Sequence, residues 1–349
     1  MKKDRLIYLL VIILVIWNII LTTVLIKNYN SNSENTVQIV ENNINGFSTD
    51  LTEVVKKCQS SIVTIETDSS LLSGLIYSQD EDNLYIVSCY HGVSDVDNIK
   101  VILDSGKELE GTIKGFDILS DICVIEVKTD LMASPVEIGD NTLLKSGEFL
   151  ITLGTLKKLD YSQSTALAMV SNKLRTISNS ISVNEETYDY YMEVIQLDSN
   201  VTNGFSGSPV FNMIGQVEGI ISMKDDNVIF ATPINEIKII ADNIIKDNEY
   251  MKISLGIKGD YISDLETYQK NQLNIPLDVN SGYYVKNIKL NSLANATDIK
   301  AGDIIESVNN ISINNSKNML SIEYSNERTF EFEIIRDNEK LTLLGSISD

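Results

Sequence analysis

The chain of 349 residues contains one histidine, His91, upstream of the segment Gly204-Phe205-Ser206-Gly207-Ser208-Pro209. Imidazole is the side chain that titrates near neutral pH without help, so histidine is the usual general base for a serine nucleophile. If Ser206 is activated in that way, His91 is the base. No histidine follows Ser206, which excludes folds that need the order Ser…His. Asp121 lies between the two, at the head of a strand-like run, so the order available to the chain is His…Asp…Ser.

The local patterns around these residues fit that order. In Tyr85-Ile86-Val87-Ser88-Cys89-Tyr90-His91 an apolar strand ends and delivers the imidazole at its tip. A general base needs such rigid placement to stay within hydrogen-bond reach of its nucleophile. Asp121 opens Ile122-Cys123-Val124-Ile125, where an unpaired carboxylate would be costly. Pairing with one ring nitrogen of His91 would satisfy it and fix the tautomer. On its own, Asp121 reads as a turn residue. Gly204 lets the backbone bend so that its N–H and that of Ser206 converge across Phe205, the form of an oxyanion hole. Losing one such donor costs roughly 3–4 kcal/mol of barrier in a comparable enzyme. A hydrolase elbow of the Gly-x-Ser-x-Gly kind would need glycine at 208, where this chain has Ser208.

Short β-branched runs punctuated by Gly, Asn, Asp and Ser extend from Ser61 to Pro233 and predict an all-β barrel or sandwich. With the order His…Asp…Ser, the prediction narrows to a chymotrypsin-like double β-barrel over residues 50–250. Asp50 to Cys58 reads as a short capped helix, and Ile234, Ile237, Ile240, Ala241 and Ile244 predict a helix that closes the β region at Tyr250. Residues 251–349 form a further small α+β unit. At the other end, Leu6 to Ile26 is apolar and long enough to span a bilayer at ~20 residues. Lys2, Lys3 and Arg5 precede it, which leaves residues 1–5 cytoplasmic. Lys27-Asn28-Tyr29-Asn30 is a poor cleavage site, so the span is expected to remain as an anchor. Residues 27–49, rich in Asn, Ser and Glu, are a linker, and everything after them is expected outside the membrane.

The net charge of −21, from 49 acidic and 28 basic residues, opposes nucleic acid and anionic lipid surfaces as partners. Cys58, Cys89 and Cys123 have no metal-ligand spacing, and Cys89 and Cys123 sit inside apolar runs as small buried residues. Neither a metal nor an organic cofactor is expected.

The segments YIVSCYHGV, GFDILSDICVIEV, LDSNVTNGFSGSPVFN and GQVEGIISM together resemble the HtrA/Deg family of trypsin-like serine proteases over about residues 50–345. The resemblance implies His91 as base, Asp121 as its orienter, Ser206 as nucleophile, and Gly204 and Ser206 as oxyanion donors. Asp117 matches the family's earlier, non-catalytic aspartate, and Asp198 the acid that opens the serine motif. Phe205 and Ser208 depart from the usual Asn or Asp and Gly, changes that bear on loop rigidity and specificity, with the bulk of Phe205 bearing on the leaving-group side of the cleft. Val201 and the wall Gly219-Ile220-Ile221 imply an apolar pocket for the side chain before the cut. The final unit resembles a PDZ domain: Ala301-Gly302-Asp303-Ile304-Ile305 through Val308-Asn309 matches its A-G-D-x-I-x-x-V-N stretch. Leu255-Gly256-Ile257 then matches its carboxylate-binding loop, whose N–H groups hold a peptide C-terminus beside an opened strand edge.

The expectation is therefore a single-pass, membrane-anchored serine endopeptidase with its catalytic and PDZ domains extracytoplasmic. Its substrates would be misfolded or C-terminally exposed proteins, and the family's habit of trimerising makes a homotrimer an implied assembly. Two alternatives stay open: a catalytically impaired, protease-like PDZ scaffold, motivated by the substituted serine loop, and a hydrolase of small esters.

Overall fold

The structure is a computed structural model. It describes residues 51–94, 96, 98–155, 163–183, 186–199, 205–225, 228–247, 252–290 and 292–347, with Trp17, Thr22 and Thr23. The expected cytoplasmic tail, the linker and, apart from those three residues, the apolar span lie outside the described residues. Among the described residues no helix is long and apolar enough to cross a membrane. The architecture below belongs to the compact unit Val55–Asp349.

Six strands, β1 (Ile62–Thr67), β2 (Leu71–Gln79), β3 (Asn83–Cys89), β4 (Ile99–Ile102), β5 (Glu108–Asp117) and β6 (Ile122–Lys128), close into a barrel in the order β1-β2-β3-β6-β5-β4. Its interior is filled by β-branched and aliphatic side chains such as Val63, Ile65, Ile86, Val101 and Ile125. Such residues suit a pleated surface packed on one face. A second sheet holds β7 (Glu137–Ile138), β8 (Phe149–Gly154), β9 (Ser164–Val183), β10 (Glu186–Asp198), β11 (Pro209–Phe211), β12 (Gln216–Asp225) and β13 (Val228–Pro233). Its order is β11-β8-β9-β10-β13-β12-β7, and a further β11–β12 pairing joins six of the strands into a ring. The double barrel expected from the sequence is thus present.

A helix, α1 (Ile234–Ile245), follows with Ile234, Ile237, Ile240, Ala241 and Ile244 buried along one face. The third sheet is β14 (Ile257–Tyr261), β15 (Tyr283–Ile288), β16 (Ile304–Val308), β18 (Thr329–Arg336) and β19 (Glu339–Ser346), with β17 (Ile311–Ser312) paired to β16. In β18 the alternation Phe330, Phe332, Ile334 inward and Thr329, Glu331, Glu333 outward is the period of a sheet with one buried face. A second helix, α2 (Ser316–Glu323), is capped by Asn315, whose side chain accepts from the Asn318 N–H.

One element departs from expectation. TALAMVS reads as a short strand, yet β9 runs on through Asn172 to Val183 and pairs with β10 as a long antiparallel ribbon. Asn and Ser break the apolar alternation there. The ribbon is instead held from outside: Leu174 packs on the core of the third sheet, and Lys173 Nζ pairs with Asp264 at 2.6 Å.

Candidate active site

The pairing of β3 with β6 brings the imidazole and the carboxylate together. These strands run antiparallel with Cys89 directly opposite Ile122. His91 lies two residues past the end of one, and Asp121 one residue before the start of the other. The Tyr90 N–H donates to the Asp121 carbonyl at 3.1 Å, continuing the ladder past the strand ends. Asp121 then makes two contacts with one residue: Oδ1 accepts the His91 backbone N–H at 2.8 Å, and Oδ2 lies 2.5 Å from His91 Nδ1. In the neutral imidazole this leaves Nε2 unprotonated, the tautomer a general base needs. The hydrogen bond to Asp121 raises the His91 pKa above its ordinary 6.5, and burial works against it.

Asp121 adopts a left-handed backbone conformation, φ 57°. A non-glycine residue there is a sign of a turn held by its surroundings. The holding group is Asp117, buried, whose Oδ1 accepts the N–H groups of Leu119 at 2.8 Å and Ser120 at 3.1 Å. The Asp121 N–H reaches the Ile118 carbonyl at 3.3 Å.

Ser206 stands in the turn before β11. Its carbonyl accepts the Ser73 N–H at 3.0 Å, which ties the turn to strand β2 of the first barrel. The next N–H, of Gly207, donates to the Ile221 carbonyl at 2.9 Å, and the Cys89 thiol donates to that same carbonyl at 3.3 Å. The serine turn and the strand that carries His91 therefore converge on one acceptor. No hydrogen bond between Ser206 Oγ and the His91 ring is present among the described residues. Such contacts are often long without substrate and tighten when it binds. Gly207 has φ 81°, and a Cβ there would lie 1.9 Å from the Ser73 carbonyl oxygen, so the turn admits only glycine.

Phe205 does not face the leaving-group side of the cleft. Its side chain is buried in the second barrel with Leu144, Leu150, Val210 and Ile221. An apolar ring gains roughly 1.5–3 kcal/mol from leaving water, which decides its direction. Its carbonyl accepts the Ser208 N–H at 2.9 Å. Gly204 and Val201 lie outside the described residues. The wall residues Ile220 and Ile221 are buried and apolar. Glu218, next to them, is buried too and accepts from Asn212 Nδ2 at 2.7 Å. Burial pushes its carboxyl up to about 7.

Sequence reading missed Ser88 and Ser73. Ser88 Oγ donates to the Ser73 carbonyl at 2.6 Å, and Ser73 Oγ accepts the Thr155 N–H at 2.7 Å. A hydroxyl inside the apolar run ending at Cys89 was the available signal, since a buried hydroxyl demands a partner.

Among the described residues, Cys89, His91 and Asp121 form a group of three ligating side chains, their atoms within 4.8 Å of one another. The donor set does not fit a cation. Burial raises the Cys89 thiol well above its ordinary value, so it stays neutral, and it already donates to Ile221. His91 and Asp121 share a direct hydrogen bond where a metal would have to stand.

In the 255–257 loop of the last unit, Leu255 and Ile257 are buried and Gly256 has φ 74°, a left-handed bend that glycine adopts without strain. Its carbonyls are engaged: Gly256 accepts the Lys289 N–H at 2.8 Å and Leu255 the Ala294 N–H at 3.1 Å. A hollow of about 30 Å³ beside Gly256 and Ile257 is also lined by Met319 and Glu323 of α2 and by Tyr191 and Glu193 of β10. The long ribbon thus covers this end of the loop. Burial, reinforced by neighbouring acids, pushes Glu193 up to about 8 and Glu323 up to about 7.

Residues 72–220 match the family described as trypsin-like peptidase domain, and residues 245–324 match the PDZ domain. A serine protease HtrA-like from Staphylococcus epidermidis (strain ATCC 12228 / FDA PCI 1200) is 27% identical over 355 residues, which cover 94% of this chain and 59% of that protein. A serine protease Do-like HtrA from Bacillus subtilis (strain 168) is 30% identical over 290 residues, covering 79% of this chain and 63% of its own. The chain thus spans about three fifths of the length of these curated relatives. Among solved structures, the HtrA-type protease AlgW with tripeptide shares the fold with a TM-score of 0.58 at 19% identity, over 84% of this chain and 95% of that one. The same protease with decapeptide gives 0.53 at 16% identity, over 84% and 96%. Residues 72–220 and 245–324 thus resemble a trypsin-like peptidase domain and a PDZ domain in that order, and the curated proteins to which the chain is similar are named HtrA-like and Do-like HtrA serine proteases.

Proposed function

We propose that the protein is a serine endopeptidase in which Ser206 attacks a peptide carbonyl and His91 takes its proton. Asp121 orients the imidazole and stabilises the imidazolium that forms. His91 passes that proton to the leaving amine as the acyl-enzyme forms; it then takes a proton from the attacking water and returns it to Ser206 as the ester is hydrolysed. The Ser206 and Gly204 N–H groups are the expected donors to the oxyanion. The observation that carries this reading is the 2.5 Å contact of His91 Nδ1 with Asp121 Oδ2 at the strand ends that meet the serine turn. Leu255, Gly256 and Ile257 of the PDZ domain would receive peptide C-termini of protein substrates, once the ribbon residues Tyr191 and Glu193 give way. The apolar segment Leu6–Ile26 would hold both domains on the outer face of a membrane.

A fluorophosphonate probe tests the chemistry. Labelling of the wild type and none of Ser206→Ala is the expected result, together with cleavage of unfolded casein by the wild type alone. The missing Ser206–His91 hydrogen bond favours one second reading, a protease-like scaffold that works through its PDZ domain. A folded wild type that takes no probe, binds C-terminal peptides and leaves casein intact establishes that reading instead.

A further inference from the structure

The turn that presents Asp121 is not held by the peptidase domain alone. Asp117 fixes it through Oδ1, and the hydrogen-bond donor to its other oxygen comes from the far end of the chain. Tyr324, the residue after α2, places its hydroxyl 3.3 Å from Asp117 Oδ2 and 3.1 Å from Glu236 Oε1. One phenolic proton stands between two carboxylates. Lys252 lies among the same groups: its buried ammonium pairs with Glu236 Oε1, interacts with Asp117 and lies 5.6 Å from the centre of the Tyr324 ring. Glu236 has this ammonium as well as the phenol, whereas the hydrogen-bond donor to Asp117 Oδ2 among the described residues is Tyr324. Burial and the neighbouring acids Glu236, Asp117 and Glu323 hold the phenol well above its ordinary pKa, so its proton stays available to donate.

We propose that Tyr324 of the PDZ domain is a positioning residue for the peptidase site: it holds Asp117, which holds the 117–121 turn that presents Asp121 to His91. The inference rests on the triad reading above. Its chain of contacts is short: phenol to Oδ2, Oδ1 to the Leu119 and Ser120 N–H groups, and the left-handed residue Asp121 immediately after. A partner lost at Oδ2 leaves a buried carboxylate under-satisfied, and the cheapest relief is rotation of Asp117 out of the turn. Asp121 then loses its fixed approach to Nδ1. Tyr324 follows directly on α2, whose Met319 and Glu323 line the hollow at the peptide loop, so the same residue connects that hollow to the catalytic couple.

The test uses the full chain with Tyr324→Phe, Asp117→Asn and both together. The second-order rate of fluorophosphonate labelling is measured against pH. Because the chain has one histidine, the His91 ring resonances are titrated by NMR in a Ser206→Ala background. Tyr324→Phe should slow labelling about tenfold, as expected for a coupled neighbour, and the double variant should lose no more than either single one. The acid limb of the profile and the NMR pKa of His91 should both move down, because a loosened Asp121 no longer raises them. A Tyr324→Phe protein that unfolds earlier yet keeps the wild-type limb, plateau and His91 pKa would overturn the inference, since a purely structural residue behaves that way. Strictly additive losses in the double variant would overturn it as well. If the wild type itself takes no probe, the triad reading has failed and this inference falls with it. The two failures are therefore distinguishable.

Discussion

At the scale of single residues, the couple formed by His91 and Asp121 sets the pH behaviour. In the proposed mechanism the base acts when neutral, so activity should rise with pH through an apparent pKa above the ordinary 6.5, the direction in which Asp121 moves His91. Asp121→Asn should bring the NMR-titrated pKa down and cut the acylation rate by about 10⁴, the loss seen when a triad carboxylate is replaced by its amide. An unchanged His91 titration in that variant would separate the two residues functionally. The sign for stability is opposite to that for activity. A histidine whose folded pKa is raised contributes stability below its unfolded value and loses it as pH rises through the folded one. The side chain is half exposed, so that contribution is small. Phe205 shows the limit of reasoning from position along a motif: its neighbours point to the cleft, but its own apolar area sends it into the barrel.

At the scale of elements, the serine turn is built on close backbone contact between two barrels. Ser73 donates to Ser206 from β2, and the Gly207 N–H binds Ile221 of β12. Gly207→Ala would drive a methyl group onto the Ser73 carbonyl and hold a left-handed φ at the same time. The expected cost is at least ~1–3 kcal/mol of stability, read from the denaturant midpoint. Probe labelling should be lost as well, because the same contact fixes Ser206. Retained labelling at wild-type rate would show that the turn tolerates displacement. The β9–β10 ribbon teaches a related lesson. Its outer half carries Asn, Ser and Thr and has no clean alternation, yet it stays a strand. Thr176 meets the Tyr283 hydroxyl at 3.5 Å, and the Lys289 ammonium binds Ser178 Oγ at 3.0 Å and lies 4.9 Å from the Tyr191 ring centre. Tertiary contact here overrides weak local propensity.

At the scale of the whole molecule, peptidase and PDZ domains meet over a buried polar cluster. Glu193 accepts from the Tyr261 hydroxyl at 3.1 Å, Glu236 is paired with Lys252, and Glu323 lies nearby with Asp117. Three glutamates and an aspartate thus share one buried lysine. The folded pKa values of about 8 for Glu193 and about 7 for Glu323 exceed the ordinary 4.5. Groups of this kind stabilise the fold fully below their unfolded pKa, and the gain is lost as pH rises through the folded values. Thermal stability should therefore decline between pH 5 and pH 8 at constant ionic strength. Glu193→Gln should flatten that decline by removing one titration. A midpoint that holds steady or rises over this range, with no difference in the variant, would show that the cluster does not titrate as a neutralised pair of acids.

Much of this protein follows from its linear order. A single histidine, an acid at the head of an apolar strand and a serine between glycines, in that succession, point to a double barrel before any coordinates. They do so because strands with period-two or continuous apolar patterns have few ways to pack. The A-G-D-x-I stretch likewise points to the last domain. Other features depend on residues far apart along the chain meeting in space: the burial of Phe205, the ties of Ser73 and Ser88, the long ribbon beside the 255–257 loop, and the reach of Tyr324 to Asp117. Apolar periodicity is a local signal that survives in one dimension. A buried hydroxyl or carboxylate is chosen by its partner, and that partner is named only when the chain has folded.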